Sequence, residues 1–135
     1  MTGDLVHQST EAIVNPANIR LSHGSGAAQA IAEAAGPDLI QACNDYIRQY
    51  GELTVAQPMH TTAGNLPRPI THVIHLAGPE SHQYQDKEEC HQHLKCAFRN
   101  CLQYANKELS ARSVSVPAIS TGDLFTVNSL DQAVI

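Results

Sequence analysis

The sequence predicts an α/β sandwich with a mainly parallel or mixed sheet, because short apolar runs alternate with helical stretches along the chain. Its 135 residues suit a single domain, spanning 1–135. The 42% hydrophobic content is enough for a core that needs neither disulfides nor metal. There is no internal repeat and no linker-like change of composition to suggest a second unit.

The first half of the chain is predicted to form a strand, a loop and two helices. In order, these are a strand at 11–14, a glycine-bearing loop at 18–26, an alanine-rich helix at 27–35 and an amphipathic helix at 37–50. Asn15-Pro16 is predicted to end the strand as a turn. Gly36 and Gly51 are predicted to end the helices, since glycine is common just past a helix terminus.

The second half continues the alternation. It is predicted to hold an extended segment at 53–62, a strand at 71–77, a long helix at about 87–109, a strand at 113–119 and a helix beginning at 130. The strand at 71–77 stops at Gly78-Pro79, a strong turn signal. His72 and His75 flank its apolar centre, where structural histidines are expected rather than catalytic ones.

Charge and composition exclude several classes of function. The formal net charge is -5, and the 8 Lys and Arg residues form no run, which argues against electrostatic binding of nucleic acid. No stretch approaches the roughly 20 apolar residues of a membrane span. The first residues lack the pattern of a secretory signal, and four cysteines without a dense framework fit a reducing compartment. We expect an intracellular domain, cytoplasmic or nuclear, with no membrane partner.

Two loops are candidates for a ligand site, because ligands of such sheets bind beyond the carboxyl ends of strands. They are 15–26, after the first strand, and 120–125, after the last predicted strand. In the first, His23-Gly24-Ser25-Gly26 directly precedes a helix, whose free N–H groups favour an anion without any Lys or Arg. The alternative is a loop that simply needs the backbone freedom of glycine.

Five motifs in order carry a resemblance to a known family. They are Gly3-Asp4-Leu5, the run 11–18 ending in Asn15-Pro16-Ala17-Asn18, the glycine loop before Ala34-Ala35-Gly36, Val73-Ile74-His75 with Gly78-Pro79, and 116–122 ending in Ser120-Thr121-Gly122. Together they resemble the macrodomain family of ADP-ribose-binding modules. In its residue pattern, the segment 18–51 is most similar to the macrodomains found in tandem within large ADP-ribosyltransferases.

The resemblance implies a fold and a binding site. The fold is a three-layer α/β/α sandwich, and both ends are shorter than in the family, so that its first and last strands are the ones expected to be missing. Asp4, with Leu5 beside it, would accept a hydrogen bond from adenine, and Asn18 would reach the distal ribose. The diphosphate would lie between two loops, formed by Gly24, Ser25, Gly26, Ala27, Ala28 and by Ser120, Thr121, Gly122. Leu124 and Phe125 would take the apolar roles that follow the second loop.

Departures from the family bear on function. One hydrolytic class carries an acidic residue and a basic or polar residue where this chain has Ala28 and Ala32, and methyl groups transfer no protons. The resemblance therefore favours a binding module for ADP-ribose or ADP-ribosylated protein, with no catalytic residues. A hydrolase that removes ADP-ribose, using a ligand phosphate to orient water, is the alternative. Asp123, which would repel a diphosphate if it faced it, also leaves open a degenerate protein-interaction domain.

One cluster suggests metal at first sight. Cys90-His91-x-His93-x-x-Cys96 contains zinc-ligand residue types. A stripe at helical spacing explains these positions better, and its members are Cys90, Leu94, Ala97, Cys101 and Ala105. We therefore predict neither a metal site nor a cofactor, and no cysteine nucleophile.

Overall fold

The computed structural model describes residues 10–23, 26–78, 87–117 and 124–128. Its elements in chain order are β1 (Ala12–Ala17), α1 (Gly26–Ala35), α2 (Pro37–Tyr50), β2 (Met59–Thr62), β3 (His72–Ala77), α3 (Lys87–Lys107), β4 (Ser113–Pro117) and β5 (Leu124–Asn128). Both helices predicted in the first half are present. Among these described elements, no helix combines the length and apolar character that a membrane crossing requires.

The strands form one mixed sheet in the order β2-β3-β1-β4-β5. The three inner strands β3, β1 and β4 are parallel, whereas β2 and β5 pair antiparallel at the two edges. The carboxyl ends of the three parallel strands therefore lie along one edge of the sheet. The loop after β1 leaves from that edge and leads into α1.

Helices cover both faces of the sheet, which confirms the three-layer α/β/α sandwich. Successive strand residues point to opposite faces, so β1 supplies Ile13 to one core and Ala12 and Val14 to the other. The first core includes Ile31 of α1 and Leu39 of α2. The second core packs against α3.

β1 does not end where the sequence predicted. It continues through Asn15 and Pro16 to Ala17, and all six of its residues pair with β3. The described register of β1 with β4 covers Ala12 and Ile13, which lie at the amino end of β1.

The strand β5 corrects the prediction that 120–125 is a loop throughout. Leu124 and Phe125 begin this strand, and they pair with Pro117 and Val116 of β4. The run Leu-Phe-Thr-Val at 124–127 has the aromatic and β-branched residues that favour strands. Leu124 nevertheless stays beside the carboxyl end of β4. The predicted helix from 130 and the end of the predicted strand at 118–119 lie outside the described residues.

Candidate functional site

The described part of the candidate site lies at the carboxyl end of β1 and the start of α1. It includes the predicted ligand residues Asn18, Gly26, Ala27 and Ala28. Leu124 and Phe125 are described only as backbone, at the neighbouring end of the sheet. The other predicted ligand residues lie outside the described part, and they are Asp4, Leu5, Gly24, Ser25, Ser120, Thr121 and Gly122.

The start of α1 is suited to an anion. Gly26 has a φ of +62°, a left-handed conformation that favours glycine, and a Cβ there would meet no atom within 4 Å. The N–H groups of a first helical turn have no partner within the helix. This turn contains no acidic residue that would repel an anion. Ala28 in this turn is buried, whereas Gly26 is exposed.

Asn18 organises the loop that leads to this turn. Its Oδ1 accepts hydrogen bonds from the backbone N–H groups of Arg20 and Ser22, both at 3.1 Å. Its Nδ2 donates to Ser22 Oγ at 2.6 Å, and Leu21 N donates to the Asn18 carbonyl at 3.1 Å. Leu21 is buried with a φ of +55°, so it anchors a constrained turn. A ribose contact from Asn18 would have to exchange one of these bonds.

The loop carries one cation in its described part, and that cation has a partner. Arg20 Nε lies 3.2 Å from Glu52 Oε2, and both side chains are largely exposed. The carbonyl of Ile19 accepts a hydrogen bond from Leu53 N at 2.7 Å. These contacts fix the loop to the segment after α2. Within the described residues, backbone N–H groups are therefore the main positive feature of the helix start.

A buried polar cluster lies next to this loop. Asn15 of β1 and His75 of β3 are register partners, and both are 0% exposed. Asn15 Nδ2 donates to His75 Nδ1 at 2.9 Å. With Nδ1 accepting, Nε2 carries the proton, and it lies 3.0 Å from Thr61 Oγ1 and 3.8 Å from Cys43 Sγ. Both ring nitrogens have hydrogen-bond partners, as expected for a structural histidine.

Burial suppresses the reactivity of the thiol and the imidazole in this cluster. Burial lowers the pKa of His75 to about 3, helped by the nearby His23 and His60, so the imidazole is neutral near pH 7. Burial also raises the pKa of the Cys43 thiol to about 11. Because the thiolate is the reactive form, a protonated thiol beside a neutral, buried imidazole is unreactive.

Three buried polar atoms at this place lack a partner in the described part of the chain. They are Oδ1 of Asn15 and both ring nitrogens of His23. The ring centroids of His23 and His75 are 6.4 Å apart. Burial lowers the pKa of His23, which favours a neutral ring. His23, just before the glycines of the loop, therefore lies next to a polar part of the core.

The burial of Asn15 differs from the sequence prediction. Its place before Pro16 predicts a turn residue, whereas the structure places Asn15 in a central strand with its side chain in the core. A signal for the pairing exists in the sequence. Asn15 and His75 are each a polar residue inside an apolar strand run, close to its carboxyl end. Because buried polar groups are normally hydrogen-bonded, the two positions together indicate a hydrogen bond between these side chains.

The cysteine- and histidine-containing stripe lies on α3. Ala97, Cys101 and Ala105 are buried along one face, as the helical spacing predicted. Among the residues that the structure describes, no three His, Cys, Asp or Glu side chains come close enough to hold a metal ion. The side chains of Cys90, His91 and Leu94 lie outside this description.

Comparison with known proteins places these features in a family. A sequence profile of the Macro domain matches residues 14–131. An O-acetyl-ADP-ribose deacetylase of Escherichia fergusonii is 39% identical over 122 residues, which cover 90% of this chain and 66% of that protein. One from Klebsiella pneumoniae is 42% identical over 120 residues, covering 89% and 66% respectively.

A solved structure agrees with the sequence relatives. A mutant macrodomain of Oceanobacillus iheyensis with ADPR superposes with a TM-score of 0.78 at 34% identity, covering 90% of this chain and 64% of that one. The chain spans 66% of the length of both curated relatives. Given the sheet order, the glycine at the start of α1 and the extent of these matches, the chain belongs to the Macro domain family.

Proposed function

We propose that this chain binds ADP-ribose, free or attached to protein, and acts as a binding module. The observation that carries the proposal is the start of α1, where a left-handed Gly26 begins a first turn that has no acidic side chain and whose N–H groups have no partner within the helix. The solved macrodomain with ADPR, at a TM-score of 0.78, supports the same ligand. Asp4 for adenine, Asn18 for the distal ribose and Ser120-Thr121-Gly122 for the phosphates remain part of the proposal.

The described side chains favour binding over hydrolysis. Ala28 and Ala32 are buried on α1 and cannot activate water at the positions where one hydrolytic class of the family carries acidic and polar groups. His75 and Cys43 are also unsuitable, because burial keeps the first neutral and the second protonated. His23 is the only described side chain in the loop that could accept a proton near neutral pH.

Hydrolysis of O-acetyl-ADP-ribose is the second candidate, favoured by the names of relatives that are 39% and 42% identical. That reaction adds water across the acetyl ester and yields acetate and ADP-ribose. Without a carboxylate at position 28, the chain would have to use His23 or a ligand phosphate to orient the water. We therefore expect turnover far below that of a carboxylate-bearing enzyme.

One experiment separates the candidates. The chain is incubated with O-acetyl-ADP-ribose and with a mono-ADP-ribosylated protein, and retained label, acetate and free ADP-ribose are measured. A binding module retains the labelled protein and releases neither product.

Ala28→Asp tests whether the missing carboxylate explains the lack of hydrolysis. It adds a carboxylate at the position where one hydrolytic class of the family carries an acidic residue. Ala30→Asp is the matched control, because it adds the same charge to an exposed position of α1. Turnover gained only with Ala28→Asp supports the proposal. Rapid turnover by the unmodified chain would make it an enzyme, and absence of any nucleotide binding would favour a protein-interaction domain.

A further inference from the structure

Asn15 and His75 occupy a special place in the sheet. They face each other across the parallel strands β1 and β3, close to the carboxyl ends of both. Below them on the same face lie Ile13 and Val73, which belong to the apolar core. Asn15 also precedes Asn18, the organiser of the loop, by only three residues. The pair therefore lies between the apolar core and the proposed ligand loop.

Stability alone does not account for these two polar residues. Within the described residues, Asn15 Oδ1 is buried without a hydrogen-bond partner, and an unpaired buried acceptor lowers stability. An apolar pair of similar shape would fill the same layer without an unpaired atom. In some proteins, buried polar groups of this sort specify one arrangement of the chain rather than add stability.

The Asn15–His75 pair also lies next to the loop, through His23. The His23 ring lies 6.4 Å from the His75 ring, centroid to centroid, and both of its nitrogens are buried. His23 is three residues before Gly26, which starts α1. The described part of the loop is thus held by Asn18 at its beginning, and its last residue, His23, lies next to His75.

Resting on the proposed function, we infer that Asn15 and His75 are positioning residues for the ADP-ribose loop. The hydrogen bond between them fixes the ends of β1 and β3 relative to each other. His23 then packs against a fixed surface, and the start of α1 is held ready for the phosphates. Neither residue needs to touch the ligand.

The test replaces the pair by apolar residues of similar shape. Asn15→Leu combined with His75→Phe removes both polar groups, a change that can leave stability nearly unaltered. The matched control is Thr10→Val combined with Ser115→Ala. It removes a buried hydrogen bond of 2.8 Å at the opposite end of the strands.

Two quantities are measured for each variant. One is the affinity for ADP-ribose by calorimetry, and the other is hydrogen exchange of the Arg20 and Ser22 amides, which are bonded to Asn18. We expect the first double variant to bind at least ten-fold more weakly, with faster exchange of both amides. The control should keep its affinity within about three-fold, as expected for a distant, independent site. Unchanged affinity and exchange in the first double variant would overturn the inference.

Two single variants keep the test decisive if the double variant does not fold. His75→Asn keeps an acceptor near the position of Nδ1, whereas His75→Gln keeps a polar group near Nε2, toward Thr61. Positioning through Asn15 predicts the tighter ADP-ribose binding in His75→Asn, even if its smaller side chain lowers the melting temperature. The reverse order of affinities would contradict it. If the unmodified chain binds no ADP-ribose, the proposed function fails, while the exchange measurements still decide the positioning role.

Discussion

Asn15 Nδ2 lies 2.9 Å from His75 Nδ1, and the two residues pair across parallel strands whose neighbouring side chains are apolar. The imidazole accepts from the amide on one side and donates to Thr61 on the other. It is therefore a neutral, fully bonded ring whose protonation state does not change near pH 7. Its position next to the strand ends connects the core with the loop that leads into α1.

The pH dependence of stability should reveal this buried imidazole. The pKa of His75 is about 3 in the folded chain against an ordinary value of 6.5, so between these values the unfolded chain binds the extra proton. Stability should therefore fall as pH decreases, by about 2 kcal/mol between pH 7 and pH 5. Lowered pKa values of His23 and His60 act in the same direction.

Urea unfolding at pH 7, 6 and 5 measures this slope. His75→Gln removes the main titrating group and should flatten it. A free energy of unfolding that stays constant or increases toward pH 5 in the unmodified chain would be inconsistent with a neutral, buried His75.

Thiol labelling should distinguish the cysteines by burial. Cys96 is exposed, whereas Cys43 and Cys101 are buried with pKa values raised to about 11 and about 12. At about pH 7.5, where an exposed thiol is partly ionised, we expect a maleimide to modify Cys96 rapidly. Cys43 and Cys101 should react only after unfolding. Peptide mapping by mass spectrometry reads each site, and rapid native labelling of Cys43 would show that the cluster around His75 is open.

The C-terminal end of α1 gives a prediction about stability. Gly64 has a φ of +58°, and a Cβ there would lie 2.5 Å from the carbonyl oxygen of Ala35. Gly64→Ala should cost at least about 2 kcal/mol, from the left-handed conformation and the clash together. Gly51→Ala is the control, because its φ is +82° but nothing lies within 4 Å of the added atom.

For Gly51→Ala we expect about 1–2 kcal/mol, from conformation alone. Chemical denaturation compares the two variants directly. Equal losses would mean that the close approach of Gly64 to α1 has no energetic consequence.

Arg20 tests whether a side-chain cation or the backbone holds the ligand. Its guanidinium pairs with Glu52 at the surface, an interaction worth about 0–1 kcal/mol. Arg20→Ala should therefore leave ADP-ribose affinity within about three-fold of the unmodified chain, which corresponds to less than 1 kcal/mol. Calorimetry measures it. A loss of ten-fold or more would transfer the role of the anion site from the start of α1 to this side chain.

Local sequence signals were sufficient for most of the fold. Pro37 and Gly51 bound α2 as predicted, because proline at a helix start and glycine after a helix end act through their own backbone preferences. The apolar run at 72–77 forms β3, as its residues and the following Gly78-Pro79 predict. In these cases the residues that decide the structure are neighbours along the chain.

Tertiary pairing decided the features that the sequence left hidden. Asn15-Pro16 has the local character of a turn, yet pairing with all of β3 extends the strand through it. The sequence predicts a ligand loop that includes Leu124 and Phe125, whereas pairing with β4 makes them part of a strand. The Asn15–His75 bond joins residues sixty positions apart. Only the register of the sheet makes them partners.

The central claim is that unpaired peptide N–H groups at the start of α1 bind the phosphates of ADP-ribose. Calorimetric titration with ADP-ribose tests this claim most directly. The account predicts saturable binding to one site, accompanied by a rise in the melting temperature. Adding salt should not abolish it, since no described lysine or arginine is needed. Absence of both heat and thermal shift at millimolar ADP-ribose would contradict the account.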